Sequence, residues 1–449
     1  MSGSARSAPN ARDVAFAVVR DVFGPDVRAA QAAFDVRARR AGVDVRDRAF
    51  AAELAYGSIK QRRLIDWLLA PYVGSRAQPL SPAVADILRL GVYQLRFMSG
   101  VEDHAAIFET VNLAWRHGHK GTAGLVNAVL RRMQADGPRE PQRRDFESEV
   151  DYLGTLRSVP TWIAQQFLVA LNGRSEAALA AVNVAPRTAL RVNTLRCTVG
   201  EVRGLLAERG LSAQSSAYVG ETLLLDGAAV GDDPGGRWTV QNEAAAMSVD
   251  VLSPQPGEDV LELCSGRGNK TLQMAARLQD RGNIVCIERD PKKMAVLSSA
   301  LERAGIAGVA PVLGDALNVA AQAQADAVLL DAPCSGVGVI ARHPEARWRK
   351  RPDDGERLAV TQAALLRSAA DRTKRGGRLV YSVCSIDPRE GRAVVNAFLA
   401  ADPAFVRAPI PQRYAAFVQD GDLIVPPGIE GRDGFYIASL EHSGEPPSA

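Results

Sequence analysis

Two cysteines lie in short motifs that place a thiol beside polar side chains. Cys334 stands in Asp331-Ala-Pro-Cys-Ser335, and Cys384 stands in Tyr381-Ser-Val-Cys-Ser385. Each motif includes or follows a short apolar run that is typical of a buried strand. A thiol in such a place is suited to nucleophilic catalysis, because the thiolate is the reactive form of cysteine. From residue chemistry alone, the roles of the two cysteines are interchangeable.

A third motif is rich in small residues. It reads Glu262-Leu-Cys-Ser-Gly-Arg-Gly-Asn-Lys-Thr271 and predicts a loop at a helix N-terminus, where a ligand can approach the backbone closely. The spacing fits neither of two common phosphate-binding motifs. A dinucleotide motif needs glycine where Thr271 stands, and a P-loop needs glycine where Cys264 and Asn269 stand. Both phosphate-binding interpretations are therefore weakened.

Carboxylates follow the neighbouring apolar runs. Glu288 lies 20 residues after Gly268, a spacing suited to a carboxylate that accepts hydrogen bonds from ribose hydroxyls, although a structural acid at a strand end is the alternative. An adenosine cofactor without a pyrophosphate fits this pattern best, and S-adenosylmethionine is the common one. The predicted cofactor-binding residues are Cys264, Ser265, Gly266, Arg267, Gly268, Asn269, Lys270, Glu288, Asp315 and Asp331.

Hydrophobic patterning predicts the elements that position these motifs. The predicted strands are 259–263, 284–288, 310–313, 326–331 and 378–383, and the predicted helices lie near 270–279, 290–304, 356–375 and 388–400. This alternation indicates βαβ units, and hence an α/β fold with a doubly wound parallel sheet. Such a sheet binds its ligand at the carboxyl ends of its strands, where all the motifs fall.

The rest of the chain divides into predicted domains that differ in hydrophobic pattern. Apolar residues recur at helical spacing through residues 1–135, which predicts an all-helical domain with Pro71 among its helix separators. The two clearest apolar stripes are Val84, Ile87, Leu88, Val92 and Leu95, and Ile107, Val111, Ala114 and Trp115. Residues 136–150 are a predicted linker, 151–238 a small α+β domain with strands at 189–193 and 222–226, and 239–449 the catalytic domain.

The charge of the chain is distributed unevenly. The net charge is +3 over 449 residues, but residues 1–140 hold 20 Lys and Arg against 14 Asp and Glu. An excess of positive charge can meet the phosphates of a nucleic acid, although a solvated helix face has the same composition. The candidate phosphate contacts are Arg37, Arg39, Arg40, Arg46, Arg48, Lys60, Arg62 and Arg63.

Composition excludes several classes of protein. With 47% hydrophobic and 23% charged residues, the chain has the make-up of a globular protein of more than one domain, not a disordered or fibrous one. No apolar run approaches the ~20 residues of a membrane span, and the N-terminus lacks the apolar core of a signal peptide. Five cysteines without metal-ligand spacing argue against a disulfide framework or a zinc site. We therefore expect a soluble, cytoplasmic protein without a metal.

Together, these motifs resemble those of the RNA cytosine-C5 methyltransferases, in particular the bacterial 16S ribosomal RNA type known as RsmB or Sun. That family carries a cofactor loop similar to D-x-C-A-A-P-G-G-K-T, a fourth motif D-A-P-C-S and a sixth motif T-C-S. Residues 12–133 resemble the family's NusB-type RNA-binding helical domain. Residues 189–193 and 240–243 match its small pre-catalytic domain and the start of its catalytic fold, and Asp433-Gly-Phe-Tyr436 resembles its last strand.

The resemblance implies a fold and a reaction. The fold is a Rossmann-like methyltransferase domain that follows a small α+β domain and a NusB-like domain. Cys384 is implied to be the nucleophile that adds to C6 of cytosine, Asp331 the acid that assists at N3, and Cys334 the residue that assists product release. DNA C5 methyltransferases use the Pro-Cys cysteine as the nucleophile instead, so only the resemblance separates the two roles.

The resemblance also implies the cofactor and the partner. They are S-adenosylmethionine and ribosomal RNA, with 16S RNA as the expected substrate and a monomer as the expected state. Two other functions stay open. One is a transfer-RNA or 23S ribosomal RNA cytosine methyltransferase with the same core, and the other is a non-catalytic RNA-binding assembly factor. Retention of both cysteines and of Asp331 argues against the second.

The sequence departs from the family pattern at a few positions. Arg267 replaces the usual proline of the cofactor loop, and Asn269 replaces a glycine. Because asparagine tolerates the left-handed backbone conformation, we expect the loop to keep its shape. Arg267 either adds a cation near the cofactor carboxylate or points to water. Glu262 stands for Asp, Val383 for Thr and Gly391 for Asn, and none of these changes removes a group that the reaction requires.

Overall fold

The structure is a computed structural model that describes residues 9–24, 27–74, 79–227, 230–318 and 324–443. These residues form two units. The first contains the described residues up to Gln165 together with His343–Arg349, and the second contains Gln166–Arg342 and the described residues from Lys350 onwards. The first unit is helical, and the second contains two β-sheets.

The helices have the following bounds: α1 Ala11–Phe23, α2 Ala30–Ala41, α3 Val45–Lys60, α4 Arg62–Val73, α5 Pro82–Phe97, α6 Asp103–His117, α7 Lys120–Asp136, α8 Glu149–Leu156, α9 Thr161–Leu171, α10 Ser175–Ala181, α11 Val199–Glu208, α12 Glu243–Leu252, α13 Asn269–Arg277, α14 Pro291–Ala304, α15 Ala346–Arg349, α16 Asp354–Ala370 and α17 Arg392–Ala401. Helix α1 begins where the Asn10 side chain accepts hydrogen bonds from the backbone amides of Arg12 and Asp13, a capping box that satisfies free donors.

The helical unit confirms the predicted bundle, with two local corrections. Ile87, Leu88 and Val92 of the predicted stripe are buried in its core. Trp115 is instead 51% exposed, because it lies about 100° around α6 from the buried Ala114. Pro71 does not separate two helices. It lies in the last turn of α4, where a proline removes one hydrogen bond and leaves the earlier turns intact.

The smaller sheet of the second unit is antiparallel, with strand order β2-β3-β1-β4. Its strands are β1 Thr188–Val192, β2 Gln214–Ser215, β3 Thr222–Leu225 and β4 Trp238–Val240. The strands predicted at 189–193 and 222–226 agree with β1 and β3 to within one residue at each end. Leu190, Val192 and Trp238 form its core against α11, so this region is the predicted small α+β domain.

The larger sheet has the strand order β11-β12-β13-β9-β8-β5-β6-β7, and β10 pairs with β13. Its strands are β5 Asp259–Leu263, β6 Asn283–Glu288, β7 Val309–Leu313, β8 Ala325–Asp331, β9 Thr373–Val383, β10 Phe405–Arg407, β11 Val418–Gln419, β12 Asp422–Val425 and β13 Phe435–His442. Strands β7, β6, β5, β8 and β9 run parallel, and β13 runs antiparallel to β9. The chain reverses its direction of travel across the sheet between β5 and β8, the position where such sheets bind ligands.

All five predicted parallel strands are present, but two predicted helices have different bounds. The helix predicted over 356–375 ends at Ala370, because the chain from Thr373 pairs with β8. The helix predicted over 388–400 begins only at Arg392. Its first residues form a turn instead, since the Asp387 side chain accepts a hydrogen bond from the Arg389 amide.

Candidate active site

The carboxyl ends of the parallel strands bring the predicted site residues to one edge of the large sheet. Cys264 follows β5, Glu288 ends β6, Asp315 follows β7, Asp331 ends β8 and Cys384 follows β9. Burial, together with the negative charges of Asp331, Glu288 and Asp315, raises the pKa of Cys264 to about 12.

The loop after β5 takes its shape from left-handed backbone conformations. Cys264, Gly266 and Gly268 have φ angles of 62°, 61° and 86°. A Cβ atom on Gly268 would lie 2.8 Å from Cγ of Leu297, so both the conformation and the packing require glycine there. Asn269 is not left-handed, contrary to expectation. It is the first residue of α13, and this explains why the position accepts a residue other than glycine.

Glu288 fastens this loop to the end of β6. One of its carboxylate oxygens accepts a hydrogen bond from the Gly266 amide at 2.8 Å, and the other accepts from the Asp290 amide at 2.9 Å. Each carboxylate oxygen can accept a second hydrogen bond. A Cβ on Gly266 would meet nothing nearer than the Cys264 carbonyl at 4.0 Å, so the loop borders open space. A held carboxylate beside an open glycine backbone fits the ribose of an adenosine cofactor.

Lys270 reaches from the start of α13 to the end of β8. Its Nζ lies 2.7 Å from Oδ2 of Asp331, and the Ser382 hydroxyl donates to Oδ1 of Asp331 at 3.0 Å. Burial lowers the pKa of Lys270, but the Asp331 carboxylate outweighs this effect and the pKa is raised. The ammonium group is therefore retained next to the carboxylate. Lys270, predicted only as a cofactor-binding residue, is thus also a partner of the predicted catalytic acid.

Glu262 lies beneath the loop and is fully buried. Burial raises its pKa to about 8, although a hydrogen bond from the Thr271 hydroxyl opposes the shift. Its Oε1 atom has no hydrogen-bond partner among the described residues. The side chain is therefore mostly protonated at neutral pH, which avoids an uncompensated buried charge.

The two predicted catalytic cysteines lie together. Sγ of Cys334 is 3.2 Å from Sγ of Cys384, and both residues are partly exposed. The hydrogen bond with Cys384 and burial raise the pKa of Cys334 well above its ordinary value. The raised pKa keeps Cys334 protonated, and either sulfur of the pair could be the hydrogen-bond donor. Cys197 and Cys286 instead pack against the two apolar cores of this unit, as expected for inert thiols.

Sequence reasoning missed Glu390, which lies under both cysteine loops. Its carboxylate accepts hydrogen bonds from the Ser335 amide at 2.7 Å, the Ser385 hydroxyl at 2.6 Å and the Gln362 side chain at 3.1 Å, and also from the Ser335 hydroxyl. The only sequence signal is an acidic residue shortly after Cys384. Its partner Ser335 is 55 residues away, so the contact becomes evident only in the fold.

Three predicted cofactor-binding residues face outwards. Arg267, Asn269 and Asp315 are exposed. The Asn269 side chain donates to the Val240 carbonyl at 3.4 Å, and the Asp315 carboxylate accepts from the Leu317 amide at 3.0 Å. Arg267 is exposed, and its position relative to the cofactor carboxylate stays a prediction.

Most of the predicted phosphate contacts in the helical unit are engaged within it. Arg37 pairs with Asp21, Arg48 with Asp35 and Arg63 with Asp151, at N–O distances of 2.6, 2.8 and 2.5 Å. The guanidinium of Arg62 lies 4.0 Å above the Phe23 ring, and burial lowers the pKa of Lys60 to about 8. Arg39, Arg40 and Arg46 are exposed, and they are the members of the set best placed to meet an anion.

No helix in the described ranges combines the length and apolar character needed to cross a membrane. Nor do His, Cys, Asp and Glu side chains in those ranges gather in groups of three or more that could hold a metal ion.

Comparison with known proteins assigns the chain to a family. Residues 249–441 match the family "16S rRNA methyltransferase RsmB/F", residues 9–135 match the NusB family, and residues 159–230 match the ferredoxin-like domain of RsmF/B-like methyltransferases. The probable ribosomal RNA small subunit methyltransferase B of Bacillus subtilis is 32% identical over 410 residues, covering 89% of this chain and 91% of that protein. The chain belongs to the RsmB/F family.

Other relatives agree with this assignment. Ribosomal RNA small subunit methyltransferase B of Thermus thermophilus is 35% identical over 417 residues, covering 92% of this chain and 93% of that protein. The crystal structure of PH0851 superposes with a TM-score of 0.80 at 28% identity, covering 98% and 99% of the two chains. This RsmB/F protein is therefore an S-adenosylmethionine-dependent ribosomal RNA methyltransferase, and the family, fold class and cofactor expected from the sequence are confirmed.

Proposed function

We propose that this enzyme methylates carbon 5 of a cytosine in 16S ribosomal RNA through a transient bond between Cys384 and C6 of the base. The observation that carries the proposal is the pair of thiols 3.2 Å apart at the ends of β8 and β9, next to the pair formed by Lys270 and Asp331. The names of the small-subunit methyltransferase relatives support the choice of RNA.

The arrangement of the thiols supports Cys384 as the nucleophile. C5 of cytosine is a poor nucleophile until a thiolate adds to C6, because that addition breaks the C5–C6 double bond and gives C5 enamine character. The raised pKa of Cys334 keeps the proton on that thiol. A protonated thiol 3.2 Å away can donate a hydrogen bond to a thiolate and stabilise it. This supports Cys384 as the nucleophile, the role implied by the sequence resemblance.

Lys270 and Asp331 are suited to assist the addition. When the thiolate adds to C6, electron density moves through C5 and C4 onto N3, so a proton shared with N3 lowers the barrier. The raised pKa of Lys270 keeps a proton on its ammonium group, which is paired with Asp331. We assign the proton to Lys270, which passes it through the Asp331 carboxylate to N3 as charge develops there.

Cys334 is suited to assist the final step. After methyl transfer, C5 loses its proton to a water molecule, and the electron pair then re-forms the C5–C6 double bond while the bond between C6 and sulfur breaks. The proton on N3 returns to the pair formed by Asp331 and Lys270. The departing sulfur becomes a thiolate again. The thiol of Cys334 lies 3.2 Å from that sulfur and can stabilise it with a hydrogen bond. This is the release role that the resemblance implies.

The loop after β5 is suited to hold the cofactor. S-adenosylmethionine, when bound, supplies the electrophilic methyl group. We propose that residues 264–270 line its binding site, that Glu288 accepts hydrogen bonds from its ribose hydroxyls, and that Asp315 lies at the far end of the same site. Both oxygens of Glu288 are already oriented by backbone amides, so the carboxylate needs no reorganisation to receive a ligand.

A denaturing gel tests the mechanism directly. Incubated with 16S RNA and S-adenosylmethionine, the Cys384→Ala variant should give neither methylated RNA nor an enzyme–RNA adduct. The Cys334→Ala variant should transfer the methyl group and then remain attached to the RNA. An adduct in the first variant and none in the second would reverse the two roles. Methylation retained in both variants would exclude a cysteine adduct altogether.

Bisulfite sequencing tests the substrate. RNA from a strain that lacks this gene should lose one or more 5-methylcytosines in 16S RNA, and the plasmid-borne wild-type gene should restore them. Loss confined to 23S RNA or transfer RNA would favour the other substrates that the sequence leaves open. No loss in any RNA would instead support a non-catalytic assembly factor.

The helical unit is proposed to bind the RNA backbone. We retain the division into residues 1–135, 136–150, 151–238 and 239–449, with the first segment as the RNA-binding domain. Replacing Arg39, Arg40 and Arg46 by Gln should weaken RNA binding and reduce the salt-dependence slope by about three. A control with Lys292, Lys293 and Arg375 replaced, three exposed cations of the second unit, should keep the original slope. Equal slopes in both variants would remove these arginines from the RNA surface.

A further inference from the structure

The carboxylate of Glu390 is fully buried and is held by four neutral donors. Two donors belong to Ser335, its backbone amide and its hydroxyl, and the others are the Ser385 hydroxyl and the Gln362 side-chain amide. A buried carboxylate is costly unless its oxygens are satisfied. Four hydrogen bonds meet this requirement, so the negative charge is compensated by the geometry of the surrounding loops.

These donors connect the two cysteine loops. Ser335 directly follows Cys334 in the loop after β8, and Ser385 directly follows Cys384 in the loop after β9. The two serine hydroxyls also lie 3.2 Å from each other. Glu390 therefore bonds to the neighbour of each cysteine, and one carboxylate spans both loops.

Further contacts fix the carboxylate itself. The Tyr381 hydroxyl donates to the Glu390 carbonyl at 2.5 Å, and the same amide nitrogen of Gln362 that contacts the carboxylate donates to the Pro333 carbonyl at 2.9 Å. Tyr381 and Gln362 are fully buried. Neither loop can move without removing a donor from a buried charge, and such a loss is expensive.

We propose that Glu390 is a positioning residue that sets the distance between the thiols of Cys334 and Cys384. The proposal rests on the cysteine mechanism proposed above, because it assigns Glu390 a task only if both thiols act on the base. The charge of Glu390 has a second effect, since it is among the groups that raise the pKa of Cys334. Glu390 thus favours a proton on the thiol that donates to Cys384.

Oxidation of the two thiols to a disulfide provides a measure of their spacing. Diamide oxidises two neighbouring thiols to a disulfide, with both thiol protons and two electrons passing to the diazene. A disulfide has its sulfurs about 2.05 Å apart, so a pair held at 3.2 Å needs little movement to react. The rate at which Cys334 and Cys384 form a disulfide therefore measures how well the loops hold them, and it requires neither RNA nor cofactor.

Two variants of the full-length protein separate position from charge. Glu390→Ala removes the bridge, so disulfide formation should slow at least about tenfold and kcat should fall about 10²-fold, with both KM values within about twofold. Glu390→Gln keeps one acceptor oxygen for the Ser335 and Gln362 amides, and its own amide group can donate to the two hydroxyls. The Gln variant should therefore restore the disulfide rate and most of kcat, while the alkylation of Cys334 shifts to lower pH.

A matched control accounts for the loss of a buried acid. Asp250 is buried and bonds to Arg277, Arg413 and Tyr414, outside the reaction proposed above. Asp250→Asn should lower stability and leave the disulfide rate unchanged. If Glu390→Ala does not fold, Ser335→Ala and Ser385→Ala each remove one hydroxyl and should each slow the disulfide by a smaller factor.

The outcomes distinguish this proposal from the one on which it rests. An unchanged disulfide rate and unchanged kcat in Glu390→Ala, with lowered stability, would overturn the positioning role. A slower disulfide with unchanged kcat would support the positioning of the thiols and contradict their part in methylation. Failure of Glu390→Gln to restore the disulfide rate would show that charge, not the bridge, holds the loops, and would also overturn the proposal.

Discussion

Two fully buried glutamates lie under the two halves of the active site, and their surroundings differ. Glu262 lies under the cofactor loop with one oxygen bonded to the Thr271 hydroxyl and the other without a partner among the described residues, and its pKa is raised to about 8 by burial. Glu390 lies under the cysteine loops and has four donors. Burial raises the pKa of an acid that has few donors, as at Glu262, whereas both oxygens of Glu390 have donors.

The difference extends to the loops above. The shape of the loop after β5 depends on its own backbone, which is left-handed at residues 264, 266 and 268. Gly266 bonds to Glu288, and Lys270 bonds to Asp331. The cysteine loops instead depend on a shared side chain. The cofactor half can therefore accept substitutions such as Arg267 at exposed positions, while the cysteine half should be sensitive at buried positions remote from the thiols.

Lys270→Met should have the largest effect, and it tests whether the cofactor loop and the cysteine loops act independently. Lys270 belongs to the cofactor loop but pairs with Asp331 on the cysteine side. Its loss removes the assigned proton source, so single-turnover methylation should slow by about 10²–10³-fold. The disulfide rate of Cys334 and Cys384 should stay as in the wild type. A methylation rate within threefold of the wild type would remove Lys270 from the reaction.

Glu288→Ala should affect only the cofactor half. The carboxylate is held by two backbone amides and is proposed to bind the ribose, so its loss should weaken S-adenosylhomocysteine binding by about 1–3 kcal/mol. Isothermal titration calorimetry measures this change, with Asp315→Asn as a comparison at an exposed carboxylate. Unchanged affinity in Glu288→Ala would assign Glu288 a purely structural role.

Glu262→Gln should change the pH dependence of stability. The pKa of Glu262 is about 8 in the folded protein and near 4.3 in the unfolded chain. The contribution of Glu262 to the free energy of unfolding is therefore fully present below about pH 4, and it is lost as the pH rises to about 8. The loss has an upper limit of about 1.4 kcal/mol per pH unit. Urea unfolding between pH 5 and pH 8 should show a flatter profile in the variant. Parallel profiles would mean that Glu262 is ionised throughout.

Arg267→Gln should have the smallest effect. Arg267 is exposed on the cofactor loop, so removing its charge should change the affinity for S-adenosylhomocysteine by less than about 0.5 kcal/mol. Calorimetry at low and high salt checks this value. A larger loss that disappears at high salt would show that the guanidinium reaches the cofactor carboxylate, which is the alternative that the sequence left open.

The sequence predicted most of the large sheet and the site residues at its edge. Strand β5 has its predicted bounds of 259–263, because a buried strand between a turn and a glycine loop is marked on both sides. The predicted start of α17 was wrong, because the side chain of Asp387, not hydrophobic spacing, determines where that helix begins. Glu390 was missed because its contacts with Ser335 join residues far apart in sequence.

The basic residues of the helical unit show a second limit of prediction from sequence. The sequence marks Arg37, Arg48 and Arg63 as candidate phosphate contacts, with a solvated helix face as the alternative, but each pairs with an acid whose position depends on how the helices pack. Net charge is visible in a sequence, whereas the pairing of individual charges is a property of the fold. Charge counts alone therefore do not show which cations are paired with acids.

The helical unit is discontinuous in the gene. Its last segment, His343–Arg349, is encoded after the cysteine motif at residue 334, and within the unit Arg347 donates to the Ser158 carbonyl while the Trp348 indole donates to the Ile59 carbonyl. A recombination event that exchanged only the first part of the gene would leave these partners mismatched. The helical domain and the catalytic domain are thus expected to be inherited together, and hybrids between relatives should fold only when both segments come from the same parent.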